Sequence, residues 1–194
     1  LFYEVIVSTD SEEISNLSIK YGAKSWFLRP TSLAMDETDK LPVRQHALEE
    51  SEKYFDKKFD YIFDLDATSP LREVEDLYNS FNQFLQTNSE ILISGCIARR
   101  NPYFNMVEIS NDCVNLVKRS KTVIVRRQDS PQVYDMNASI YIWKRHVLLE
   151  GKSLFGEKTT LYRMPAERSI DIDTELDWEI VTYLMGKRLN KLNG

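Results

Sequence analysis

The order of the hydrophobic segments constrains this chain most. Over the first half, short β-rich runs alternate with stretches of helical period. Residues 3–7 are β-rich. Asp10 and Glu13 then stand at the spacing of a capping box, which predicts a helix to about Tyr21 with Gly22 as its left-handed stop. Residues 24–28 read as a second strand, ended by Pro30, which forces Arg29 into an extended shape. Pro42 suits the first turn of a helix to about Phe55. Residues 61–66 form the next strand, broken by Thr68, Ser69 and Pro70. Val74, Leu77, Tyr78, Phe81, Phe84 and Leu85 then recur at helical spacing, and residues 91–96 read as a buried strand. Strands alternating with helices in this way predict an α/β fold: a mostly parallel sheet with helices on both faces.

The texture changes over residues 101–135. Two β-like pieces (104–109 and 114–117) lie among basic turns, which predicts an arm inserted into a single domain spanning 1–194. The core pattern returns at 139–143, 161–164 and 170–173. A last helix over 174–189 is expected to turn Leu176, Ile180 and Leu184 to one face.

Composition narrows the function. The longest apolar run, from Ile140 to Trp143, is far short of the roughly 20 residues that cross a bilayer. Lys and Arg total 25 against 30 Asp and Glu, for a net charge of −5, and no basic stripe suits a nucleic acid. Cys96 and Cys113 form neither a CxxC pair nor a disulfide framework and predict free thiols in a reducing compartment. His46 and His146 are too few and too far apart for a zinc site. No glycine-rich phosphate loop is present. The chain opens at Leu1 directly into a strand-like segment, which predicts a trimmed sequence that has lost its first strand and so gives no reading of any targeting signal.

In a doubly wound sheet, ligands bind beyond the carboxyl ends of the strands. Three polar clusters fall there: Ser8, Thr9 and Asp10; Asp64 through Ser69; and Asp171 through Thr174. Strand alternation would put the Asp171 and Asp173 carboxylates on one face and turn Ile170 and Ile172 to the core. Two carboxylates with phosphate oxygens suit Mg²⁺, with Mn²⁺ as the alternative. A solvated strand end with Asp173 or Thr174 capping the last helix accounts for the same residues. Asp64 and Asp66 alternate likewise and could form a DxD metal site or only a polar strand end. The hydroxyls of Ser8 and Thr9 could hold an anion or make a turn and cap. Arg99 and Arg100 at the edge of the arm, and Arg126, Arg127 and Gln128 within it, are placed where arginine forks suit carboxylate or phosphate or are simply solvated.

These blocks resemble the acylneuraminate cytidylyltransferase family, the CMP-sialic acid synthetases. The matching stretches are residues 5–10; Arg29-Pro30 with Leu33, Ala34 and Asp36; residues 67–72; Arg127-Gln128; Asn137 with residues 140–142; and residues 169–174. They occur in the family's order and with its spacing. The resemblance implies a Rossmann-like nucleotide-diphospho-sugar transferase fold. It also implies attack by the anomeric hydroxyl of a nine-carbon keto-sugar acid on the α-phosphate of CTP, giving CMP-sugar and pyrophosphate.

By family position, Asp171 and Asp173 would hold Mg²⁺. Ser8, Asp10 and Arg29 would face the nucleotide. Asp66, Thr68, Ser69, Arg127, Gln128 and Phe155 would face the sugar, with Arg127 also catalytic. The arm would dimerise the protein, and the setting would be the bacterial cytoplasm. The family's phosphate-binding block, with its Arg, Ser-Lys-Gly and Lys-Asn residues, is missing from this sequence. Asp66 stands where the sialic-acid enzymes carry Gln. The stretches 101–108 and 136–140 resemble the legionaminic-acid branch more than the sialic-acid branch. The competing expectations are a GT-A-type glycosyltransferase using Asp64 and Asp66, and a non-catalytic nucleotide- or sugar-binding module.

Overall fold

A computed structural model describes residues 1–121 and 123–192; position 122 of the expected arm lies outside the described residues. The elements in chain order are α1 (Glu12–Lys20), α2 (Lys40–Phe55), β1 (Tyr61–Asp64), α3 (Val74–Gln86), β2 (Ile91–Ile97), β3 (Val107–Ser110), β4 (Cys113–Leu116), β5 (Tyr134–Lys144), α4 (Arg145–Leu149), β6 (Thr159–Arg163) and α5 (Glu175–Leu192). The main sheet has four strands in the order β1-β5-β2-β6. Glu90 and Ile91 donate their amides to the Lys158 carbonyl and Met164 donates to Gly95, a constant offset that makes β2 and β6 parallel. Ala98 donates to Val133 and Lys144 donates to Glu90, so β5 runs antiparallel to β2. The sheet is therefore mixed, with β5 reversed within the expected parallel pattern. Gly95 is required where the two strands meet, because a Cβ there would lie 2.6 Å from the Asp135 carbonyl. No helix of the described residues is long and apolar enough to cross a membrane.

The chain divides into two compact units. The first comprises Leu1–Asp64, Phe84–Ile91 and Ile142–Thr159. Its core is Leu48, Phe84, Ile91, Ile142, Trp143, Val147 and Leu148. Glu52, almost fully buried, accepts both forks of Arg145 at 2.6 and 2.9 Å, Lys58 at 2.7 Å and the Phe59 amide at 3.3 Å. The Arg145 hydrogen bonds, helped by Lys58, hold its carboxyl down at about 2.

Two expectations fail in this unit. Segments 3–7 and 24–28 meet only in one parallel bridge, Ile6 with Lys24. Beyond that bridge the Val7 carbonyl accepts from the Ser25 hydroxyl at 3.2 Å. The cap of α1 is Ser11, one residue later than expected, and its side chain accepts from the Ile14 amide. Gly22, at φ +92°, ends the helix in the left-handed region as expected.

The second unit comprises Leu65–Gln83, Leu92–Tyr141 and Thr160–Gly194. Its core is Leu71, Leu92, Ile93, Ala98, Ile140, Tyr141, Met164 and Val181, interleaved with the buried hydroxyls of Ser69, Ser80, Ser94 and Ser139. Strands β3 and β4 form an antiparallel hairpin that pairs Ile109 with Val114 and Val107 with Leu116. Asn111 and Asp112 both have positive φ, as a two-residue primed turn demands. Residues 170–173 are not a strand: the segment meets the 66–72 turn instead of a strand edge, and its Ile172 amide donates to the Thr68 carbonyl at 3.0 Å. The buried side of α5 is Val181, flanked by the partly buried Leu184 and Arg188, whereas Leu176 and Ile180 are exposed.

Candidate active site

In the first unit, Arg29 wraps the Ser8 turn. Its Nε donates to the Ser8 hydroxyl at 3.3 Å, its Nη2 to the Ser8 carbonyl, and its amide to the Thr9 carbonyl at 2.7 Å. Ser8 and Arg29 are thus brought together, while Asp10 is exposed just ahead of α1. Phe155 is 65% exposed in the loop after α4. Asp64 accepts from Arg44 Nε at 2.5 Å, and the Arg44 guanidinium lies over the Trp143 ring. A carboxylate neutralised in this way makes a poor ligand for a DxD metal site.

In the second unit, the turn carrying Asp66, Thr68 and Ser69 is tied down from several directions. Arg72 donates to the Asp66 carbonyl and, at 3.1 Å, to the Ser139 carbonyl. The fully buried Ser69 donates to the Asn137 carbonyl at 2.8 Å. Asn137 is itself buried and bonded on both ends of its amide. Its Oδ1 accepts from the Ser94 hydroxyl at 2.6 Å, and its Nδ2 donates to the Ser169 hydroxyl at 2.9 Å. The next residue, Ala138, sits at φ +47°, a conformation that costs a non-glycine residue about 1–3 kcal/mol and persists only where the surroundings enforce it. Asn137 thereby links the turn at Ser69 to the segment that carries Asp171 and Asp173.

Asp171 and Asp173 differ in their surroundings. Asp171 Oδ1 is enclosed and has no hydrogen-bond partner, although such oxygens are normally satisfied. Asp173 is exposed, and its carboxylate is not the cap of α5. Thr174 takes that role: its amide and hydroxyl donate to Asp177 Oδ2 at 2.8 and 2.7 Å, and the Asp177 amide returns to Thr174 Oγ1. The Thr174 hydroxyl, with the amides of Thr174 and Asp173, holds the Asp177 carboxyl below its ordinary value. An enclosed carboxylate oxygen without a donor, followed two residues later by an exposed carboxylate, fits a hard cation. Among the described residues no group of three or more His, Cys, Asp or Glu side chains could hold a metal, so the remaining ligands would be phosphate oxygens and water.

Arg127 and Gln128 border an open cavity of about 310 Å³ that is also lined by Ala98, Asn101, Ser130 and Gln132. Arg127 donates to the Ala98 carbonyl at 3.0 Å, and the Ser130 hydroxyl is enclosed without a partner. The cavity therefore offers a cationic and amide-rich wall.

A cytidylyltransferase family profile matches residues 1–192. The chain belongs to the cytidylyltransferase family. It is 46% identical over 185 residues to a CMP-N,N'-diacetyllegionaminic acid synthase of Campylobacter jejuni, covering 95% of this chain and 78% of that protein. It is 44% identical over 188 residues to the post-translational flagellin modification protein B of Campylobacter coli, covering 97% of this chain and 79% of that protein. Among solved structures, the 4-diphosphocytidyl-2C-methyl-D-erythritol synthase of Anaerococcus prevotii superposes with a TM-score of 0.61 at 14% identity, over 94% of this chain and 78% of that one. The last likeness establishes the Rossmann-like α/β fold.

The motif reading of this cytidylyltransferase missed two residues that organise the second unit. Asp76 is fully buried in the first turn of α3, and Arg168 grips it from the 3-10 turn Ala166–Arg168. That hydrogen bond raises the Arg168 pKa. Burial, and then the Asp76 carboxylate, push the Tyr162 hydroxyl up as well. The signal in the sequence is an acidic residue in the first turn of α3, a place where Asp and Glu are common enough that Asp76 does not stand out.

Proposed function

We propose that the protein activates a nonulosonic acid with CTP, giving CMP-sugar and pyrophosphate. The observation that carries this reading is the junction of the Thr68-Ser69 turn with the segment bearing Asp171 and Asp173, in a chain 46% identical to a CMP-diacetyllegionaminate synthase. Asp171 and Asp173 are the residues that would hold Mg²⁺. The cation would neutralise triphosphate charge as the α-phosphate is attacked. Arg29, fixed on Ser8, offers a cation to the nucleotide. Arg127 and Gln128 offer a fork and an amide to the carboxylate and hydroxyls of the sugar acid. Catalysis is then chiefly positioning of the anomeric hydroxyl in line with the α-phosphate.

Legionaminic acid is the favoured sugar, because Asp66 can only accept hydrogen bonds where sialic-acid enzymes carry an amide. A homodimer fits the arm. Register places Val107, Ile109, Val114 and Leu116 on one face of the β3–β4 hairpin, with Ile109 78% and Val114 67% exposed. A second copy would cover that face. The glycosyltransferase reading is weakened by the engagement of Asp64 with Arg44. Pyrophosphate release from CTP with a panel of nonulosonic acids tests the reading.

A further inference from the structure

We infer that the buried Asp76–Arg168 pair is a positioning device that sets the Asp171 carboxylate for its cation, an inference that rests on the metal reading above. Asp76 is wholly buried and four donors converge on its carboxylate. Arg168 Nε and Nη2 reach Oδ2 and Oδ1 at 2.9 and 2.8 Å, the Tyr162 hydroxyl reaches Oδ1 at 3.3 Å, and the Glu73 amide reaches Oδ2 at 2.9 Å. Glu73 adds an outer contact to Arg168 at 3.4 Å and another to Arg188, whose guanidinium also donates to the Leu71 carbonyl at 2.7 Å. The start of α3, which directly follows the site turn, is thus clamped to the segment leading into Asp171.

The register of that segment gives the clamp its consequence. Arg168 is fixed by the fork, Ser169 by the Asn137 amide at 2.9 Å, and Ile172 by the Thr68 carbonyl at 3.0 Å. Asp171 stands between the last two anchors, with one oxygen enclosed and unpartnered. No strand ladder holds residues 170–173, so these three anchors take its place in fixing the carboxylate.

Stability alone is a weak reason for such a pair. Removing two charges from water costs about what their attraction returns, and an apolar pair of similar volume often serves as well. What a planar two-point fork adds is direction, and partners behind a metal ligand typically control metal affinity or activity by about 10- to 100-fold.

The test is the double variant Asp76→Leu/Arg168→Met in the full protein, which leaves no uncompensated buried charge. Circular dichroism and thermal melting report the fold. Mn²⁺ affinity in the presence of CTP is read from the electron paramagnetic resonance of free Mn²⁺, and kcat and KM come from pyrophosphate release. The expected result is a melting temperature close to the parent's, Mn²⁺ binding weakened about tenfold and kcat lowered about 10- to 100-fold, with KM for CTP changed far less. A stably folded double variant with parental Mn²⁺ affinity overturns the inference, and so does a double variant that fails to fold, since the pair is then a stability element. Asp171→Asn and Asp173→Asn separate the two levels. If they leave Mn²⁺ affinity and turnover intact, the metal reading itself fails; if they abolish both while the double variant is parental, only the positioning role fails.

Discussion

At the scale of single residues, two acidic side chains carry the clearest expectations. Glu52 has its carboxyl lowered to about 2 by Arg145, Lys58 and the Phe59 amide. Its contribution to stability is complete above the ordinary carboxylate value, near 4.5, where both states are ionised. As the pH falls from there towards about 2, the unfolded chain takes up the proton first and that contribution is lost. Glu52→Gln should therefore destabilise the neutral protein by about 2 kcal/mol, a figure discounted for the open sides of Arg145 and Lys58. Denaturant melts across pH should show the gap between parent and variant closing between about 4.5 and 2. Asp66 bears on specificity instead. Mismatching its acceptor-only carboxylate with an acceptor on the sugar should cost about 1–3 kcal/mol, or roughly 10- to 100-fold. Asp66→Gln should shift the ratio of kcat/KM from legionaminic towards N-acetylneuraminic acid. Equal losses on both sugars would assign Asp66 a structural role.

At the scale of elements, legibility followed how local the determining signal was. Helix α2 and strand β2 depend on period and punctuation within a few residues, and those signals were present. The cap of α1 was displaced by one residue because Asp10 and Ser11 are both good caps, and only the backbone geometry at Ser11 lets its Oγ reach the Ile14 amide. Ser11→Ala should lower stability by about 0.5–2 kcal/mol and Asp10→Ala should not, as paired thermal melts would register. The alternation at 170–173 was present in sequence, yet a strand exists only where a neighbour offers a ladder, and this segment found a turn instead. The inner face of α5 was misjudged for a related reason. Leu176 and Val181 are equally apolar, and the tertiary partners that select Val181 lie elsewhere in the chain. The alternation of Asp171 and Asp173 was visible in the sequence, whereas the Asp76–Arg168 pair was not, because its two halves are far apart in the chain.

At the scale of the whole molecule, the arm and the site make separate claims. An isolated two-stranded ribbon is marginal in water, and this one turns an apolar face outward. Light scattering at micromolar concentration should give about twice the chain mass of 22.7 kDa, and Ile109→Lys/Val114→Lys should reduce it to one chain. A well-folded parent that remains monomeric would remove the arm as an interface. The central claim is the reaction itself, and its most direct measurement is pyrophosphate release by the full protein from CTP and Mg²⁺, with legionaminic, pseudaminic and N-acetylneuraminic acids supplied in turn. The account predicts pyrophosphate in step with CMP-sugar, fastest with legionaminic acid and abolished by Asp171→Asn. No pyrophosphate with any of the three acids, or release that does not depend on the sugar, would contradict it.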